Sequence, residues 1–137
     1  FPVPFRLEEI KENIFINSKT ANHLSKEQII EKAFKFHSQG NISEAVKCYQ
    51  ELIDRGFTDP RIFNNYGVVC KNQGLDDKAS KLFELSINKF PEYADAYSNM
   101  GVILEKKGRL NEALKFIKKA VEIKSDYAGA HNNLDLL

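Results

Sequence analysis

The chain has 137 residues, and its 20 basic and 19 acidic side chains leave a net charge of +1. That is room for one domain, with no bulk attraction to nucleic acid or to an anionic membrane. Its 42% hydrophobic and 28% charged residues exclude a disordered chain and fit a folded soluble one.

The first stretch, 1–25, carries Phe1, Val3, Phe5, Leu7, Ile10, Ile14, Phe15 and Ile16. Pro2 and Pro4 favour extended polyproline geometry there, and Leu7, Ile10 and Ile14 fall on one helical stripe. Ser25 and Gln28 then form a capping box. It opens a helix whose apolar stripe is Ile29, Ala33 and Phe36. After Gly40 a second helix follows, with Ala45, Tyr49, Leu52 and Ile53. Asp59-Pro60 places a cap residue before a proline suited to the first helical position. The third stripe is Phe63, Gly67 and Cys70, with Tyr66 beside it. After Gly74 comes a fourth, Ala79, Leu82, Phe83, Ser86 and Ile87, which Pro91 ends. A fifth runs Tyr97, Met100, Gly101 and Leu104. After Gly108 a sixth runs Ala113, Phe116, Ile117, Ala120 and Val121. Ser43, Asp77 and Asn111, three residues after each glycine, are expected to cap the second, fourth and sixth helices.

These helices come in pairs at a fixed period. Gly40, Gly74 and Gly108 are separated by 34 residues, as are Ala45, Ala79 and Ala113, and Asn65, Asn99 and Asn133. Such self-similarity marks a stacked repeat architecture. The spacing predicts units at 26–59, 60–93 and 94–127, an N-terminal extension at 1–25, and a partial fourth unit or capping helix at 128–137. Ala33, Gly67 and Gly101 are expected to face Ala45, Ala79 and Ala113, where small side chains let helices approach closely.

The pattern Phe63-x-x-Tyr66-Gly67-x-x-Cys70, Ala79-x-x-x-Phe83, Pro91 resembles the tetratricopeptide repeat. Unit three follows with Tyr97-x-x-Met100-Gly101-x-x-Leu104, Ala113-x-x-x-Ile117 and Ser125 in the proline place. Unit one departs more, with Ile29-x-x-Lys32-Ala33-x-x-Phe36, Ala45-x-x-x-Tyr49 and Phe57 in the proline place. Asp135 stands where the fourth unit should have a small residue, so either that helix is an outer cap or the full protein departs from the repeat there. The resemblance implies an all-α solenoid of antiparallel helix pairs stacked in a right-handed superhelix. It also implies a non-catalytic module that binds protein or peptide in a concave groove.

Opposite the core stripe, the first helix of unit two presents Arg61, Asn64, Asn65, Val68, Lys71 and Asn72. Unit three presents Asp95, Ser98, Asn99, Val102, Glu105 and Lys106. By resemblance these residues line the groove, with Asn132 and Asn133 following in the fourth unit. A side-chain amide carries an acceptor and two donors, so a column of Asn65, Asn99 and Asn133 can hold an extended peptide backbone. The column is similar to the asparagine ladder of the protein O-linked N-acetylglucosamine transferase family. The other reading is that these amides bond only solvent or a neighbouring helix. Even as a ladder they supply a few kcal/mol at ~0.5–1.5 kcal/mol per bond. Micromolar binding requires about 8 kcal/mol. The remainder, and the specificity, fall to Asn64, Ser98, Asn132, Val68, Val102, Lys71 and Glu105.

Some members of the family grip a C-terminal carboxylate with a clamp of Lys, Arg and Asn. The matching positions here are Ile30, Phe34, Asn65, Asp95 and Asn99, of which only Asn65 fits, so that ligand is not expected. Ile30 and Phe34 instead form an apolar pair that calls for a cover. Residues 1–20 could fold back over it, enter a neighbouring molecule and make a homo-oligomer, or remain a loose tail.

Other chemistry finds little support. Lys106, Lys107, Arg109, Lys115, Lys118, Lys119 and Lys124 are interrupted by Glu105, Glu112 and Glu122. They read as a solvated face, without the interleaved aromatics of a nucleic-acid platform. His23, His37 and His131 stand alone, so no metal or other cofactor is expected. Cys70 reads as a buried apolar group, Cys48 as a partly exposed one, and neither has a histidine that would activate it. No phosphate loop or nucleophile motif is present. No apolar run approaches the ~20 residues that cross a membrane, and no secretory signal is visible; the expected compartment is the cytoplasm. The opening Phe1 without a methionine reads as a cut or processed piece. The expected function is a non-catalytic protein-interaction module. The alternatives are self-association through the N-terminal segment or terminal helix, and the scaffolding arm of a larger bacterial transferase.

Overall fold

The computed structural model describes residues 24–125, and these form helices joined by short turns. The helices are α1 (Lys26–Ser38), α2 (Ile42–Asp54), α3 (Pro60–Asn72), α4 (Asp76–Lys89), α5 (Ala94–Lys106) and α6 (Leu110–Ile123). Their most extensive contacts are within the pairs α1–α2, α3–α4 and α5–α6. Each pair then stacks on the next through α2–α3 and α4–α5. The first helices also touch one another, α1 with α3 and α3 with α5, whereas the second helices do not. That asymmetry curves the stack, and α1, α3 and α5 lie along its inner side.

Local chemistry fixes the helix ends. Ser25 Oγ accepts from the Gln28 N–H at 3.2 Å, and Gln28 Oε1 accepts from the Ser25 N–H at 2.9 Å. This is the expected capping box, and it satisfies two donors that the first turn leaves open. Asp59 caps α3 by accepting from the Arg61 N–H at 2.9 Å, and Pro60 follows at the start of the helix. The α4 helix stops at Lys89, ahead of Pro91.

The starts of α2, α4 and α6 differ from the sequence expectation. These helices begin at Ile42, Asp76 and Leu110, so Ser43, Asp77 and Asn111 lie inside the first turn. The residues at the cap positions are Asn41, Leu75 and Arg109, and none makes a side-chain cap bond. The reason lies in the preceding turn. Gly40, Gly74 and Gly108 take φ of +77°, +80° and +77°, which a glycine adopts without strain. The next N–H then reaches back to close the previous helix: Asn41 to the Phe36 carbonyl, Leu75 to Cys70, Arg109 to Leu104. The chain is already turned and the new helix starts at once. Gly56 makes the same turn after α2, with Phe57 N–H reaching the Leu52 carbonyl.

The core runs continuously from Ile29 and Ala33 through Tyr49, Leu52, Ile62, Phe63 and Phe83 to Met100, Ile103 and Ala113. Tyr49 and Tyr66 stack across it with ring centroids 5.9 Å apart. A separate cluster of Ala94, Tyr97 and Ala120 sits toward the α6 end of the stack, with Phe116 packed against it. Gly67 and Gly101 are indeed contact points, but chiefly for larger side chains. A Cβ on Gly67 would lie 2.5 Å from Phe83 Cε1, and one on Gly101 would lie 2.5 Å from Ile117 Cγ1. The two glycines thus admit the large residue one helical turn beyond Ala79 and Ala113, within the same pair. Cys48, expected to be partly exposed, is buried, as is Cys70, and both are free thiols. Burial pushes both thiols up from their ordinary value.

Candidate functional site

The inner curve is assembled from the faces of α1, α3 and α5 that point away from the second helices. Between α1 and α3 it deepens into a cavity of about 520 Å³, lined by Ile30, Glu31, Phe34, Lys35, Ser38, Arg61, Asn65 and Tyr93. Phe34 is 62% exposed at this site, while Ile30 is only 5% exposed and forms part of the wall. The expected exposed pair is therefore one exposed ring beside one buried aliphatic. An apolar side chain from a partner could be covered here on two sides, gaining ~25 cal/mol for each Å² removed from water.

Arg61 does not offer its charge freely. Its Nε donates to Asp59 Oδ1 at 3.0 Å and its Nη2 to Asp59 Oδ2 at 2.8 Å. The same guanidinium donates to both oxygens of Glu27, at 2.6 and 3.2 Å. Lys26 Nζ lies 3.3 Å from Asp59 Oδ2. The cluster ties the start of α1 to the start of α3. The Arg61 hydrogen bonds hold the Asp59 carboxyl down at about 2, and Arg61 in turn is raised further by its two acidic partners, Asp59 first. Glu27 is lowered by the same contact with Arg61. With both carboxylates already on it, Arg61 acts as a wall and a strut rather than as a grip for an incoming anion.

The asparagine positions divide. Asn64 and Ser98 are 4% and 5% exposed, so they pack between helices instead of forming open groove walls. Asn99 Nδ2 donates to Asn64 Oδ1 at 2.9 Å, which joins α5 to α3. One donor and the acceptor of Asn99 remain outside that bond. Asn65 is half-buried and lines the cavity. Beneath it lies the Tyr49 hydroxyl, fully buried and near the Asn65 amide without a well-formed hydrogen bond. Burial pushes that hydroxyl up to about 12, an effect the neighbouring Asn65 side chain offsets in part. Asn132 and Asn133 lie outside the described residues, as do the expectations for 1–23 and for the fourth unit.

Farther along the inner side, Val68, Lys71, Val102, Glu105 and Asp95 are half-buried. Burial lowers the Lys71 ammonium, and the like charge of Lys106 lowers it further, against the opposing pull of Asp76. Lys106 is itself 3.4 Å from Asp76 Oδ1. Asn72 and His37 pair at 3.3 Å across α3 and α1. The sequence reading did not single out Tyr93, which stands at the cap position of α5 and forms the far wall of the cavity. Rotation of helical positions misses a residue that precedes the helix. The available signal was an aromatic two residues after a helix-ending proline. Burial, and then the negative charge of Asp95, raise the Tyr93 phenol well above its ordinary value.

The basic side chains from Lys106 to Lys124 are all exposed. Lys107 pairs with Asp77 at 2.8 Å, and Arg109 pairs with Glu112. Among the described residues no helix is long and apolar enough to cross a membrane, and no three metal-ligating side chains are grouped.

Comparison with known proteins agrees with this architecture. Residues 94–127 match the family described as Tetratricopeptide repeat. No curated protein matches the chain. Among solved structures, the first TPR of Spaghetti (RPAP3) bound to the HSP90 peptide SRMEEVD is similar, with a TM-score of 0.75 and 24% identity over 83% of this chain and 93% of that one. The first TPR domain of human RPAP3 gives 0.74 and 25% over 79% and 85%. The Yersinia enterocolitica type III secretion translocator chaperone SycD gives 0.74 and 22% over 83% and 94%. Residues 94–127 thus match the tetratricopeptide repeat, and the described helices as a whole take the tetratricopeptide solenoid fold.

Proposed function

We propose that this module is non-catalytic and binds an extended peptide or partner segment along its inner curve, with an apolar side chain anchored at Phe34. The observation that carries this reading is the cavity between α1 and α3. It combines an exposed aromatic ring, a buried aliphatic wall and the Asn65 amide. Small sites of this composition, mostly apolar with a few placed polar groups, are where ligands bind. Asn65 holds the backbone of the bound segment, and Asn99 contributes the donor and acceptor left outside its bond to Asn64. Similar solenoids hold acidic chaperone peptides, but this groove favours a different ligand. Phe34 and Ile30 occupy two of the positions where a carboxylate clamp needs polar or basic groups, and the nearby Arg61 is already engaged by Glu27 and Asp59.

The test is selection of peptides from a displayed library on the intact chain, followed by affinity measurement on variants. Peptides sharing an apolar anchor are expected, with affinity reduced at least tenfold by Phe34→Glu and severalfold by Asn65→Ala. Selected peptides that bind Phe34→Glu as well as the parent would overturn the proposal.

A further inference from the structure

The Phe34 cavity lies within reach of an apolar segment of its own chain. Leu24 marks where the described chain enters α1. Its carbonyl accepts from Arg55 Nη1 at 2.9 Å, and its side chain packs on the core, so this point is anchored. From Leu24 to Phe34 is about 15 Å along the helix axis, at ~1.5 Å per residue. Ile14, Phe15 and Ile16 are consecutive, and Ile16 lies eight positions before Leu24. Extended, that connection spans ~26 Å at ~3.3 Å per residue, enough to pass around the start of α1 and reach the inner side. Charge does not oppose the approach. Arg6, Lys11 and Lys19 balance Glu8, Glu9 and Glu12, and the cavity itself carries both signs through Glu31 and Lys35.

We propose that the segment around Ile14-Phe15-Ile16 docks in cis on the Phe34 cavity and competes with the partner peptide. The inference rests on the cavity being the peptide site, and it adds a regulator to that site. Exposed Leu75 and Leu110 need no such cover, since each stands singly at the start of a helix. Phe34 differs because its ring adjoins a cavity with an aliphatic wall. A short connection keeps the tethered segment at an effective concentration in the millimolar range, so even weak docking occupies the site for much of the time. A partner then binds only to the open fraction, and its apparent affinity falls by that fraction.

The experiment uses the full chain with the photoreactive residue benzoylphenylalanine in place of Phe34, whose exposure makes the substitution tolerable to the fold. After illumination, mass spectrometry is expected to find an intrachain link to residues 7–16, with a yield independent of protein concentration. Links only to a second copy, or no link to that segment, would overturn docking in cis. In a second arm, the full chain carrying Ile14→Asp and Phe15→Asp should bind a groove-selected peptide about threefold tighter, the gain expected if the segment fills the site two-thirds of the time. Unchanged affinity would overturn the competition. If no peptide can be selected at all, the peptide-site reading fails while the photochemical link still decides the docking.

Discussion

At the scale of single residues, two buried contacts decide more than their size suggests. The Phe83 ring, which has no exposure to solvent, fills the space where a Cβ on Gly67 would stand. Alanine is the better helix former by roughly 0.5–1 kcal/mol, but overpacking a filled core costs about 1–3 kcal/mol. Gly67→Ala is therefore predicted to destabilise the fold by about 1–2 kcal/mol in a denaturant titration. Adding Phe83→Leu should return part of that loss, and additivity of the two changes would contradict the contact. Tyr49 presents the opposite case. Its hydroxyl is buried without a well-formed hydrogen bond, so only the nearby Asn65 amide offsets a desolvation penalty of about 1–3 kcal/mol. Tyr49→Phe keeps the stacking on Tyr66 and removes the penalty, so the denaturation midpoint should rise or hold. A marked fall would show that the hydroxyl is satisfied in solution.

Helices and their junctions set the next scale, and here the sequence was unevenly legible. The apolar stripes could be read because burial in a helix pair repeats every three to four residues, and the core residues Ala79, Leu82, Phe83 and Ser86 lie where that period puts them. Ser25–Gln28 and Asp59–Pro60 could be read because each cap is made by the residue's own side chain. Ser43, Asp77 and Asn111 misled because a residue's capping preference does not reveal that the next helix starts two residues after the glycine. The burial of Asn64 and Ser98 was equally hidden. Angular position on one helix says nothing of the next helix, and it is α5 that delivers Asn99 onto Asn64. The Glu27–Arg61–Asp59–Lys26 cluster likewise depends on two helix starts being brought together by stacking.

That cluster makes a pH prediction for the α1–α3 junction. Asp59 has a folded-state value of about 2, below its ordinary 3.8, owing first to the Arg61 hydrogen bonds. A depressed carboxylate contributes stability that is present above its ordinary value and lost as pH falls toward the folded-state one. A carboxyl held down that far contributes about 2 kcal/mol by linkage. Stability of the parent should fall between about pH 4 and pH 2 more steeply than that of Asp59→Asn. Parallel pH profiles for the two proteins would show that Asp59 is not held by Arg61.

For the whole molecule, the physics is that of a stack in which each pair contacts only its neighbours. The first helices touch while the second helices do not, so the molecule has an inner side, and that side carries both the Phe34 cavity and the exposed parts of Asn65 and Asn99. The fold was legible as a period of 34 residues. What the groove holds was not, because the repeat specifies backbone geometry while occupancy depends on which side chains remain free after the helices have packed. Arg61, Asn64 and Ser98 are used by the fold itself. Phe34 and Lys35 stay exposed at the cavity, and the half-buried Asn65 and Tyr93 line it. The measurement that tests this most directly is a nuclear magnetic resonance titration of the isotopically labelled full chain with a selected peptide. The account predicts that the largest shifts fall at Ile30, Phe34, Ser38, Asn65 and Tyr93. Shifts confined to the outer helices α2, α4 and α6 would contradict it.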